Sequence, residues 1–113
     1  MAVANASVNI FKTITENVGL TTTEIYTAPV AYTGVVLLAQ VANISNNTQT
    51  VSFGYRRNGE DTPIVNNLPV PANDTVNLLS GKLVIETGNT LTITGSTATE
   101  LKFLSSVLET SNL

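Results

Sequence analysis

With 113 residues and a mass of 11.9 kDa, the chain is one domain in size. It has no Cys and no His, which excludes disulfides, thiolate nucleophiles, iron–sulfur clusters, Cys or His metal sites and a Ser-His-Asp triad. Five Lys and Arg stand against eight Asp and Glu, a net charge of −3 with no basic cluster, so neither a cofactor nor a nucleic-acid partner is expected.

Thr, Val and Ile make up 38 of the 113 residues. Such β-branched side chains fit a pleated sheet and are stiff in helices. Short apolar runs bounded by Gly, Pro and Asn recur along the whole chain, the spacing of a sandwich or barrel. The first predicted strand is Ser7 to Thr15, with Val8, Ile10 and Ile14 on one face and Lys12 breaking the pattern. Leu20 to Thr27 follows and ends before Pro29. Val35 to Ser45 is the most hydrophobic segment. Strict alternation puts Val35, Leu37, Ala39 and Val41 on one face and Val36, Leu38, Ala42 and Ile44 on the other. A strand apolar on both faces is central, or is covered on its outer face by another subunit. After Asn46-Asn47, Val51, Phe53 and Tyr55 alternate with Thr50, Ser52 and Gly54. This strand and the one before it read as a hairpin.

Asn58-Gly59 is a turn signal. Pro63 to Leu68 reads as a short edge strand, and Pro69 to Asp74 as a proline-punctuated loop. Strands are predicted at Thr75 to Leu79, Lys82 to Thr87 and Thr90 to Thr94. Glu100 to Thr110 carries Leu101, Leu104 and Leu108 at helical spacing, yet Phe103-Leu104 and Ser105-Ser106-Val107 favour a strand. The prediction is an all-β, antiparallel, jelly-roll-like sandwich of eight to nine strands, one domain over residues 1–113. Met1 to Asn9, small and polar, is a candidate extended arm or a frayed terminus. No Lys or Arg precedes a long apolar run near the start, as a signal peptide requires. The longest apolar stretch, Val35 to Ala42, is far short of the roughly 20 residues of a membrane span, so no membrane partner is expected.

The chemistry-bearing residues are few. Arg56, Arg57, Asn58, Gly59, Glu60 and Asp61 form the one dense charge cluster. Read blandly, it is a solvated loop tip with pairing across the turn. Read sharply, it is a contact loop that docks on a neighbouring subunit by charge complementarity. Glu60-Asp61 as half of a carboxylate dyad or a hard-cation site lacks the further carboxylates that such chemistry needs. Tyr26, Tyr32 and Tyr55 read as core or turn residues, with a sugar-stacking surface as the alternative. The sequons at Asn5, Asn43, Asn46 and Asn73 are what this composition produces by chance.

The order of the pieces resembles a known group. Glu24-Ile25-Tyr26-Thr27-Ala28-Pro29 precedes the apolar strand Val35 to Val41, which runs on to Asn43. Then come the Asn58-Gly59 loop, Leu68-Pro69-Val70-Pro71-Ala72, and Ser80-Gly81-Lys82-Leu83-Val84-Ile85-Glu86-Thr87-Gly88-Asn89-Thr90-Leu91. This resembles small β-sandwich virion proteins of tailed bacteriophages, including cyanophages, in which an I-Y-T-x-P start, a V-P-A loop and a GGKLVLEAGDSI stretch recur. Ser80 replaces a Gly and Asn89 an Asp, and the likeness spans Glu24 to Glu109. The resemblance implies a virion structural protein, made in the host cytoplasm and active by packing. The leading expectation is a homo-oligomeric head decoration, or cement, protein on the major capsid protein. Neck, tail or fibre components, with host-surface binding, are the alternative. A small hydrolase is the remaining class, and the missing His and sparse carboxylates argue against it.

Overall fold

The computed structural model describes residues 8–112, which fold into nine strands and no helix. They are β1 (Asn9–Val18), β2 (Thr23–Thr27), β3 (Tyr32–Asn43), β4 (Gln49–Arg57), β5 (Glu60–Val70), β6 (Thr75–Asn77), β7 (Leu83–Ile85), β8 (Thr90–Gly95) and β9 (Leu101–Ser111). A front sheet runs β1-β9-β3-β6, with β7 also on β3, and a back sheet runs β2-β8-β4-β5. Every pairing is antiparallel. The pairings nest. β4 meets β5, β3 meets β6 and β7, β2 meets β8, and β1 meets β9. A long hairpin rolled into two facing sheets gives this order, the jelly roll.

Each sheet buries one face against the other. β9 alternates without a break, with Leu101, Phe103, Ser105, Val107 and Glu109 buried and the residues between them half-buried. The helical spacing of its leucines is thus overridden by period-two burial. Across the interior the back sheet contributes Val51, Phe53, Leu91 and Ile93. The rings of Phe53 and Phe103 join the two layers at 5.8 Å between centroids.

Two sequence expectations are corrected. Val35–Ser45 and the Val51 strand do not form a hairpin: β3 lies in the front sheet and β4 in the back sheet. The turn between them is a corner, held from inside by Asn43, which is 2% exposed. Its amide nitrogen donates to the carbonyls of Asn47 (2.8 Å) and Val70 (2.9 Å), and its oxygen accepts from the Ser45 amide (2.9 Å) and hydroxyl (2.8 Å). These bonds satisfy the polar groups of a chain that leaves one sheet for the other. The strict alternation along β3 also fails. A bulge between Val36 and Leu38 shifts the register, so Val36, Ala39 and Val41 are all buried while Leu37 and Leu38 both face out.

Other expectations hold. β3 is central in its sheet and the last segment is a strand; β5 is an edge strand, but it runs eleven residues, Glu60–Val70, and takes in Pro69 and Val70 of the predicted loop. Of the suggested arm Met1 to Asn9, residues 1–7 lie outside the described residues. Asn9 already belongs to β1.

Candidate functional site

The charge cluster occupies the tip of the β4–β5 hairpin. Arg56 faces Asp61 and Arg57 faces Glu60, leaving Asn58 and Gly59 as a two-residue turn. Both turn residues have positive φ, 53° and 76°, as a type I′ turn demands, which is why Asn-Gly stands there. The Arg56 guanidinium holds Asp61 with two bonds, 2.6 and 3.1 Å, and reaches Glu24 of β2 at 3.0 Å. Arg57 pairs with Glu86 and lies 5.6 Å from the centre of the Tyr55 ring. Asn58, Gly59 and Glu60 project into solvent, and Glu60 makes no salt bridge with a described residue. The hairpin tip thus carries paired arginines at its base and an uncharged turn plus one free carboxylate at its end.

The bond to Arg56, ahead of the opposing effect of desolvation, lowers the Asp61 pKa below the ordinary 3.8. A carboxylate so held adds stability that is complete above the ordinary value and lost as pH falls through the lower folded one. The pair is exposed, so the effect is small. Titration followed by NMR should find Asp61 below the ordinary carboxyl range, and Arg56→Gln should return it there.

The two outer faces of the sandwich differ in character. The outer face of the back sheet is polar and charged: Thr22 bonds Thr94 at 2.7 Å, Thr27 bonds the buried Thr90 at 3.0 Å, and the Glu24–Arg56–Asp61 pairs lie on the same face. The outer face of the front sheet carries an apolar row among Thr, Asn and Ser positions. Phe11 of β1 lies opposite Leu108 of β9, Leu108 opposite Val35 of β3, and Val35 opposite Val84 of β7. All four point outward, so one apolar row crosses the sheet from edge to edge. Phe11 is 74% and Val84 55% exposed, and the bulged Leu37 and Leu38 widen the row. Lys102 is the one charged side chain at the outward positions of these strands, and its ammonium donates to Asn17 Oδ1 at 2.8 Å. The row is exposed at its two ends and half-buried at Leu108 and Val35, which makes it a candidate interaction face.

Inside the fold, the front sheet carries a polar cluster that sequence reading missed. Glu109 is 2% exposed, and its carboxylate takes the Lys12 ammonium at 3.0 Å and the Tyr26 hydroxyl at 2.7 Å. Burial first, and then the Glu109 hydrogen bond and charge, raise the Tyr26 pKa, so the phenol remains a donor. The ring fits because Gly34 has no side chain: a Cβ there would sit 2.7 Å from the Tyr26 oxygen. Lys12, which broke the pattern of β1, is thus an inward-facing partner for a buried carboxylate. Tyr55 also serves the fold, accepting bonds from the Glu86 amide and the Asn89 side chain. Among the described residues, no buried side-chain polar atom lacks a partner and no group of three acidic, His or Cys residues is placed to hold a metal ion.

No protein family and no curated protein matches the chain. Two of the solved structures that share its architecture come from a pilus and a phage capsid. One is a chain from the disulfide-linked pili of Bacillus endospore appendages, with 16% identity and a TM-score of 0.58, matched over 98% of this chain and 96% of that one. The other is a chain from the acid-stable capsid structure of Helicobacter pylori bacteriophage KHP30, with 10% identity and a TM-score of 0.57, matched over 96% and 94%. At these identities the likeness is one of fold: an all-β sandwich found in a pilus and in a phage capsid.

Proposed function

We propose that the chain is a non-enzymatic structural subunit of a tailed-phage virion, a decoration protein seated on the head shell through the outer face of its front sheet. The apolar row Phe11–Leu108–Val35–Val84 carries this reading. Covering it removes carbon from water at about 25 cal/mol per Å², with Lys102 as the one charge at the strands' outward positions and Lys82 and Glu86 flanking the Val84 end. The back sheet, with its threonines and the Glu24–Arg56–Asp61 pairs, remains as the face that meets solvent. The likeness in fold to a phage capsid chain supports the same setting. The hairpin tip at Asn58, Gly59 and Glu60 is a second contact, reaching a neighbouring subunit at the rim.

Mass spectrometry of purified virions should find the chain at a copy number near that of the major capsid protein. A few copies per particle would instead assign it to the neck or tail, and absence would remove the virion reading. Phe11→Asp should keep stability within about 1 kcal/mol of the parent, since the side chain is exposed, yet abolish incorporation into particles. Thr27→Asp, on the back sheet, should leave incorporation intact.

The pilus likeness supports a second reading, a subunit of a filament. A chain without Cys cannot copy a disulfide linkage, so such a filament would be held by noncovalent contacts.

A further inference from the structure

The free edge of β1 is where a second copy fits. β1 pairs with β9 over ten residues in unbroken register and, among the described residues, has no strand on its other side. The Val8 carbonyl accepts from the Ser111 amide, which fixes the backbone parity. Even-numbered residues bond to β9, and the N–H and C=O groups of Asn9, Phe11, Thr13, Thr15 and Asn17 point away from it. An edge this long, without proline or bulge, is a template for another strand.

The residues along it say which strand. Reversed about Ile14, the segment Ile10 to Val18 complements itself. Ile14 falls opposite Ile14 of the second copy, Thr13 opposite Thr15, Lys12 opposite Glu16, and Ile10 opposite Val18. Phe11 falls opposite Asn17. Lys12, Ile14 and Glu16 all stand on the inward side of β1, so matched residues share a face. Glu16 makes no salt bridge with a described residue, and the Lys12 side chain is 46% exposed with donor capacity beyond its bond to Glu109. An inward-pointing charge ordinarily blocks pairing at a sheet edge. Here the mirrored Glu16 turns that charge into a register pin.

We infer that two copies of this chain join through antiparallel β1–β1 pairing about a two-fold axis at Ile14, giving one continuous front sheet. The interface is isologous, so every pair off the axis, Lys12–Glu16 included, occurs twice and Ile14–Ile14 once. In this register the outward backbone groups of Thr13 and Thr15, and of Phe11 and Asn17, form hydrogen-bonded pairs, while Lys12 and Glu16 sit at the closer, non-bonded positions. Both apolar rows then lie on one surface. The pairing stands apart from where on a particle the subunit sits.

Sedimentation of the purified protein should show concentration-dependent dimers of the 11.9 kDa chain. Glu16→Lys sets Lys against Lys at two places and should raise the dimer dissociation constant roughly tenfold. Thr13→Pro removes an outward N–H at an edge position that tolerates proline, and should do the same with circular dichroism unchanged. Ile14→Cys, in a chain with no other thiol, should give a single disulfide-linked dimer on oxidation. A protein monomeric at every concentration overturns the inference. So does a dimer that neither Glu16→Lys nor Thr13→Pro weakens.

Discussion

Phe53→Ala should lower the free energy of unfolding by about 3–5 kcal/mol, the cost of emptying a large, fully enclosed site. The side chain is 1% exposed and its ring meets Phe103 of the opposite sheet, so the two layers lose their common aromatic contact. The β-sheet backbone cannot collapse into the gap without breaking ladders on both sides. Domains of this size hold about 5–15 kcal/mol in all, so the variant should sit near the edge of folding at physiological temperature. Phe53→Leu, which keeps most of the volume, should cost under about 1.5 kcal/mol. Urea unfolding followed by circular dichroism measures both. A loss below about 1 kcal/mol for Phe53→Ala would mean that the two sheets do not depend on this contact.

Lys12→Met should be the most costly change at any charged position, by about 3 kcal/mol. The substitution keeps the apolar stem and removes only the ammonium. It leaves the Glu109 carboxylate, 2% exposed, with the Tyr26 hydroxyl as its one remaining partner. Lys12 itself is half-exposed, so water offsets part of the loss and holds the effect at the low end for a broken buried pair. The converse change is milder. Glu109→Gln leaves no buried charge, and its amide oxygen can still accept from Tyr26, so about 1–2 kcal/mol is expected. The double variant should recover most of what Lys12→Met loses, and a double-mutant cycle by thermal or urea unfolding tests that coupling. Strict additivity would show that the ammonium and carboxylate do not act as a pair.

The strands themselves were readable because burial in a sandwich writes a period of two into Thr, Val and Ile. The positions of nine strands, the central place of β3 and the edge place of β5 follow from that pattern and from Gly and Pro breaks. The β3–β4 connection was misread because an Asn-rich turn between two alternating strands looks the same whether the chain folds back in one sheet or crosses to the other. What separates the cases is Asn43, and its deciding partner, Val70, is 27 residues away. The bulge at Leu37 is silent for a similar reason: in a run of Val, Leu and Ala, an extra residue changes the face without changing the composition. Glu109 escaped notice because Lys12 and Tyr26 are brought to it only by the roll of the chain. Its one trace in the sequence is a charge at an inward position of β9, matched by another at an inward position of β1. The cluster at residues 56–61 stood out, and its internal pairing followed from the two-residue turn. The apolar row could not be seen, since its four members belong to four strands and share a line only through the register.

Imaging the assembled particle tests most directly the proposal that this subunit works by covering the outer face of its front sheet. Density for the chain should lie on the outside of the head shell with Phe11, Leu108, Val35 and Val84 against the neighbouring protein and the polar back sheet toward solvent. Density in which that apolar row faces open solvent while the back sheet makes the contact would contradict it.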